Sequence, residues 1–330
     1  MLNGNSQVGP IFIVGLSRSG TKLLRDILNG HPDIRIPSRE SYFMPHTLTH
    51  IGNRDTRPDR ESRAKFSRYL QGSVFYRNMN EQASPLSPAK LDDLVNSGET
   101  WPEIIESVFR HYTGTGGTSI IWGDKTPKYL KHMLLLSHNF PGARFLHIYR
   151  DPRDRVLSAN KAWGANIYIS AQQWQDSMQE GFRQAETIGS ACKSVRYESL
   201  VSQPAEVIAS VCDFLELSFD PQMLQLDSPV ERRGDMSHAT RQRTEIIASN
   251  QQKYLKEMTP GQLARVEQIV FPWAAQLGYV PHNPTLRHRG LSILEKLFFT
   301  IPHTYGSLRV LTKRWGIRRG VRYALARWRL

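Results

Sequence analysis

Residues 11–30 read IFIVGLSRSGTKLLRDILNG, and the fold turns on them. Ile11–Val14 is a short, continuous apolar run closed by Gly15, the pattern of a strand buried on both faces. Leu23, Leu24, Ile27 and Leu28 then recur at helical spacing, and Asn29-Gly30 followed by Pro32 supplies the stop. Between strand and helix lies GLSRSGTK. Its two glycines have the spacing of the phosphate loop G-x-x-x-x-G-K-[ST], but the last two letters are exchanged: Thr21 precedes Lys22. The first backbone N–H groups and the dipole of the helix face such a loop, so it cradles an anion. In a nucleotide kinase the loop lysine reaches the β- and γ-phosphates and the next Ser or Thr holds Mg²⁺. Here Leu23 follows the lysine, so the usual metal arrangement is missing and no metal is expected. Arg18 adds a permanently charged fork inside the loop.

Working outward, further short apolar runs lie at Ile34–Ile36, Ser119–Trp122, Ala143–Tyr149 and Ser194–Tyr197, with helical stretches near 101–112, 128–139, 171–188 and 204–217. Strands alternating with helices predict an α/β fold, a P-loop-type parallel sheet sandwiched by helices. Residues 46–98 are rich in Arg, Asn, Ser and Pro with weak periodicity. They read as an insertion beside the active site that selects the substrate, with Arg54, Arg57, Arg60 and Arg63 either lining a pocket or solvated.

A second chemistry-bearing stretch is RFLHIYRDPRDRVLSANKAW, 144–163. A buried strand ends at Tyr149, so Arg150 stands at a strand's carboxyl end, where open α/β sheets bind ligands. Ser158, eight residues on, falls in the first turns of the following helix and can converge with Arg150 on one phosphate. The alternative is an ordinary charged turn.

GLSRSGTKLL followed by FLHIYRDPRDRVLS resembles the sulfotransferase family that uses 3′-phosphoadenosine-5′-phosphosulfate, in the branch of bacterial and tyrosyl-protein sulfotransferases. WGDKTPKYL at 122–130 is similar to that family's W-G-D-K-T-P box, and VRYESLVSQPAEVIASVCDFLEL at 195–217 to its Y-E-x-L segment. The resemblance runs from about residue 10 to Tyr279. It implies that Arg18, Ser19, Gly20, Thr21 and Lys22 hold the 5′-phosphosulfate, Arg150 and Ser158 the 3′-phosphate, and Tyr197 the donor nucleotide. It also accounts for the exchanged loop, since the donor is not a triphosphate and transfer needs no Mg²⁺.

By the same resemblance Glu40, in IRIPSRESYFMP, is the general base, and Lys125 stabilises charge on the sulfuryl group together with Arg18. Each has a bland alternative: Glu40 pairs with Arg39 or another arginine, Lys125 with Asp124 or another acid, and Tyr197 is a core tyrosine. Histidine serves as base in the small-molecule branch, but His46 and His50 read as surface residues, and His138 and His147 as structural. Ser249 and Lys253 are weaker donor contacts, ahead of Leu277-Gly278-Tyr279.

Charge divides the chain. Net charge is +13, and residues 282–330 hold eleven Lys or Arg against one acid, Glu295. The boundary expected is a catalytic domain over 8–281 and a basic amphipathic helical extension over 282–330. Leu291, Leu294, Phe298 and Ile301 fall on one helical face that Pro302 ends; Leu308, Leu311 and Trp315 form a second stripe, Val321, Leu325 and Trp328 a third, with Gly316 and Gly320 between. This is the pattern of short helices resting on anionic lipid, with packing on the body or a subunit interface as alternatives. No nucleic-acid partner is expected, as no RNA-binding motif is present. The two cysteines, Cys192 and Cys212, lack metal-ligand spacing. With no signal-peptide pattern and no long apolar run, a cytoplasmic enzyme is expected, peripheral to the inner face of a membrane. Two rival functions remain, an ATP-dependent P-loop kinase and a non-catalytic module that docks on membranes.

Overall fold

A computed structural model describes residues 9–80, 85–115, 120–226, 246–271 and 273–315. Its strands, β1 (Ile11–Gly15), β2 (Ile34–Arg35), β3 (Ile121–Lys125), β4 (Arg144–Tyr149) and β5 (Cys192–Arg196), form one parallel sheet in the order β2-β3-β1-β4-β5. The central strand is apolar throughout because both its faces are covered. Phe12 and Val14 point into one core cluster with Phe145 and Trp122, and Ile11 and Ile13 into the other with Leu24, Ile27 and Leu28 of α1 (Thr21–Leu28). From β1 the chain turns towards β2 and β3, and from β3 it crosses to β4 and β5. The order therefore reverses between β1 and β4, which opens a crevice at their carboxyl ends.

Despite their weak periodicity, residues 46–98 are largely helical: they form α2 (Met44–His50), α3 (Arg60–Gln71), α4 (Val74–Asn80) and α5 (Pro88–Ser97), followed by α6 (Trp101–Thr113). Phe66, Leu70, Phe75, Met79, Leu91 and Val95 are buried in the main core. Phe43 meets Phe66 at 6.1 Å and Phe75 at 5.4 Å between ring centroids, which ties these helices to the segment carrying Glu40. The arginines are not a pocket lining: Arg63 donates to the Val95 and Gly98 carbonyls at the end of α5, Arg54 to the His138 carbonyl, and Arg57 and Arg60 are exposed.

The third strand runs later than expected, through Gly123, Asp124 and Lys125, since the buried polar Asp124 finds hydroxyl partners and does not break it. After a 3₁₀ turn and α7 (Met133–Asn139), β4 leads into α8 (Pro152–Trp163) and α9 (Ile167–Ile188). The fifth strand stops at Arg196, and Tyr197 opens α10 (Tyr197–Ser202), ahead of α11 (Pro204–Phe214). Beyond come α12 (Tyr254–Glu257), α13 (Pro260–Val270), α14 (Trp273–Gln276) and α15 (Ile293–Trp315).

Pro302 does not end a helix, for α15 is continuous through it. An interior proline costs about 3 kcal/mol, and contacts on both sides of it oppose that loss. Phe299 packs on Tyr168 at 5.0 Å, and Gly306 lies so close to Gly164 that a Cβ on Gly306 would sit 2.4 Å from the Gly164 carbonyl oxygen. Glu295 pairs with Arg265 at 2.8 Å and Arg289 at 2.7 Å. The expected stripe of Val321, Leu325 and Trp328, with Gly316 and Gly320, lies outside the described residues.

Candidate active site

Two glycines shape the loop after β1. Gly15 has φ +147°, and a Cβ there would lie 2.2 Å from the Ile148 carbonyl oxygen of β4. Gly20, the N-cap of α1, has φ +101°, and its Cβ would lie 2.4 Å from Cδ2 of Tyr197. No side chain caps α1. Ser19 is fully buried, and its Oγ has no hydrogen-bond partner among the described residues. Thr21 is buried and Lys22 half-buried in the first turn of the helix.

Arg18, at φ +77°, crosses the crevice and donates from Nε to Ser158 Oγ at 3.0 Å. Residues 140 positions apart, one after β1 and one in α8, thus meet where the strand order reverses. The Arg18 guanidinium lies 5.8 Å from the centre of the Trp163 ring, at the end of α8.

The three arginines of RDPRDR take separate tasks. Arg150, directly after β4 and 5% exposed, donates to the Asn250 carbonyl at 2.7 Å and the Arg18 carbonyl at 3.4 Å. It lies 4.4 Å over the Tyr197 ring and 3.6 Å from Asp154, and its Nε has no partner among the described residues. Arg153 is structural: it joins Asp151 at 2.7 Å to Glu267 at 2.8 Å and covers the Tyr254 ring. Arg155 props the loop from below, donating to the Ser17 carbonyl at 3.3 Å and the Ser170 carbonyl at 3.0 Å. Burial raises the Asp154 carboxyl above the usual carboxylate range, with Arg150 opposing.

Tyr197 is buried between Gly20 and Arg150, and Asn250 Nδ2 donates to its hydroxyl at 2.6 Å. It is packed like a core residue and also contacts Gly20 and Arg150. Glu198 beside it accepts from the Asp151 amide and the Tyr279 hydroxyl, each at 2.9 Å, and so ties the Y-E-x-L segment to the R-D-P turn and the closing L-G-Y.

On the other side of β1, Lys125 Nζ lies 2.8 Å from Glu40 Oε1, and the Tyr42 hydroxyl donates to Oε2. Lys125 therefore pairs with Glu40 rather than Asp124. Asp124 is buried beneath the pair, where it accepts from Ser41 Oγ at 2.5 Å and Thr126 Oγ1 at 3.0 Å; Tyr129 completes the network at 2.7 Å from Ser41. Burial pushes the Asp124 carboxyl up to about 7, against the pull of those hydroxyls and of Lys125. This network pins the residue after Glu40 to the end of β3.

The histidines take other roles. His46 stacks near His50 and Tyr69, His138 pairs with exposed Asp55 at 2.7 Å, and His147 is sealed inside β4, where burial pushes it down to about 4. Ser249 and Lys253 are exposed, and the segment meets the site through Asn250 between them. Sequence reasoning missed Asn250, Arg155 and Tyr42. Arg155 extends the RDPRD run and Tyr42 lies two residues past Glu40, which were usable signals; Asn250 had none.

The Sulfotransferase family model matches residues 10–221, nearly two thirds of the chain and all of the residues gathered around this crevice except Asn250. The chain belongs to the sulfotransferase family. As a sulfotransferase it is no longer a candidate for the kinase reading or for the non-catalytic one. It is 25% identical over 293 residues to protein-tyrosine sulfotransferase 1 of Danio rerio, covering 85% of this chain and 75% of that one. It is 26% identical over 288 residues to protein-tyrosine sulfotransferase 2 of Gallus gallus, covering 83% and 70%. Among solved structures, the sulfotransferase domain of the Synechococcus PCC 7002 olefin synthase superposes with a TM-score of 0.54 at 21% identity, over 81% of this chain and 97% of that domain. The domain from the curacin biosynthetic pathway gives 0.53 at 20% identity, over 82% and 98%. These two share the fold of this sulfotransferase.

Proposed function

We propose that this sulfotransferase takes its sulfuryl group from 3′-phosphoadenosine-5′-phosphosulfate and passes it to a hydroxyl or amine of the acceptor, with Glu40 as general base. The observation that carries the reading is the Arg18–Ser158 hydrogen bond across the crevice, together with Ser19 Oγ and Arg150 Nε, buried polar atoms without partners among the described residues. Buried donors left over in this way fit an anion with more than one charged group. The loop residues Arg18–Lys22 hold the 5′-phosphosulfate, and Arg150 and Ser158 hold the 3′-phosphate, with Tyr197 fixing Arg150 beneath it.

Glu40 takes the acceptor's proton as the new bond to sulfur forms, while the bond from sulfur to the 5′-phosphate oxygen breaks and 3′,5′-phosphoadenosine leaves. A positioned base contributes roughly 10²–10⁴-fold. The acceptor displaces Tyr42 from Glu40 Oε2, and Lys125, 2.8 Å from the other oxygen, neutralises charge that develops on the transferring group.

Thermal denaturation with 3′,5′-phosphoadenosine, compared with ATP and Mg²⁺, tests the donor. At 100 times its Kd a ligand adds about 2.7 kcal/mol of stability. The expected result is a raised midpoint with the bisphosphate that Arg150→Ala abolishes. A response to Mg-ATP alone would overturn the donor assignment.

A further inference from the structure

We infer that α15 docks the enzyme on an anionic lipid surface through a face that the catalytic body leaves uncovered, a step beyond the donor assignment and independent of it. Ile293, Leu294, Leu297, Phe298 and Ile301 are 63–78% exposed. At roughly 100° per residue these five side chains fall within about 140° of arc. Glu295, Phe299, Gly306 and Val310, which face the body, are centred about 160° away. The helix is therefore two-sided, with one stripe packed on α8 and α9 through Tyr168 and Gly164 and the opposite stripe bare. Monomeric proteins seldom leave so many large apolar side chains contiguous and uncovered.

Charge identifies the occupant. From Lys296 to Leu330 the sequence holds nine Lys or Arg and no Asp or Glu. A second copy meeting this face would bring two such segments together, like charge against like. An anionic bilayer instead accepts the apolar stripe at its acyl boundary and attracts a chain segment of this charge. Among the described residues no helix is long and apolar enough to cross a membrane, which suits a helix lying in the interface.

The docked helix also braces the site. Gly164, against which Gly306 packs, directly follows Trp163, and the Trp163 ring lies beside Arg18 of the anion loop. The same helix, α8, carries Ser158.

Cosedimentation of the full chain with phosphatidylcholine vesicles, with and without phosphatidylglycerol, tests this. The expected result is binding only when phosphatidylglycerol is present, weakened by high salt, and reduced about tenfold or more in Leu294→Ser/Phe298→Ser. Both positions are exposed, so an unchanged thermal midpoint verifies that the double variant is folded. Failure of the wild-type chain to sediment with phosphatidylglycerol vesicles would overturn the inference, as would equal sedimentation of the folded double variant. Analytical ultracentrifugation supplies a third refutation: a wild-type dimer that the double variant dissociates, with vesicle binding unaffected.

Discussion

Replacing Gly20 with alanine tests whether Tyr197 sets the shape of the anion loop. The new Cβ would sit 2.4 Å from Tyr197 Cδ2, 3.0 Å from Cε2 and 3.1 Å from Ile148 Cδ1, all inside van der Waals contact. None of these neighbours has room to yield. Tyr197 and Ile148 are buried, the Tyr197 ring lies beneath Arg150 at 4.4 Å, and its hydroxyl is held by Asn250 at 2.6 Å. Overpacking a site of this kind costs about 1–3 kcal/mol, and a Cβ at positive φ adds about 1–2 kcal/mol. Gly20→Ala is therefore expected to lose about 2–5 kcal/mol, read as a lower urea midpoint at unchanged slope. Tyr197→Ala removes the ring and is itself destabilising. In the double variant the steric part disappears while the backbone part stays, so the two losses fall short of additivity by about 1–3 kcal/mol. If Gly20→Ala lies within about 0.5 kcal/mol of wild type, or the double variant is additive, the ring does not determine the loop.

Glu40→Gln is expected to lower kcat by about 10²–10⁴ while the thermal shift with 3′,5′-phosphoadenosine stays at the wild-type value. Asp124, pushed up to about 7 when folded from its ordinary value of 3.8, is protonated in both states at low pH and ionised in both at high pH. Stability therefore falls as pH rises between those values, by on the order of 4 kcal/mol, and Asp124→Asn should flatten that decline in urea midpoints measured at pH 5 and pH 8. Arg153→Met strands the buried Asp151 and Glu267 carboxylates and should cost about 3–5 kcal/mol of stability. Arg150→Met should act mainly on the ligand-induced shift, a contrast that thermal melts with and without the bisphosphate resolve.

The parts of the fold legible in the sequence are those where local pattern and tertiary role coincide. The run Ile11–Val14 is apolar because both faces of β1 are covered, and Gly15 and Gly20 are fixed by conformations and contacts that exclude a Cβ. Arg18, Arg150 and Tyr197 come together as their places after strands imply, and Ser158, in α8, meets Arg18 and not Arg150 among the contacts of the described residues. Residues 46–98 were hard to read because their helices bury few side chains: in α3, only Phe66, Ser67 and Leu70 are buried among twelve residues. Their arginines look solvent-facing in the sequence, and only the structure shows Arg63 serving carbonyls at the end of α5. Pro302 misled for a related reason, since the contacts that hold α15 on the body come from Tyr168 and Gly164, more than 130 residues away. Asn250 meets Arg150 through its backbone carbonyl, which no side-chain motif encodes, and Tyr197 through its side chain.

The central strand separates two kinds of work. The residues proposed for the donor follow β1, β4 and β5, whereas Glu40 and Lys125 follow β2 and end β3. Whereas α8 and α9 lie between β4 and β5, helices α2–α6 all lie in the chain between β2 and β3. Changes of length or sequence in that one segment can reshape the neighbourhood of Glu40 without shifting the register in which β4 and β5 present Arg150 and Tyr197. A lineage built on this plan can exchange acceptors by rewriting a single contiguous stretch while its donor chemistry stays inherited intact.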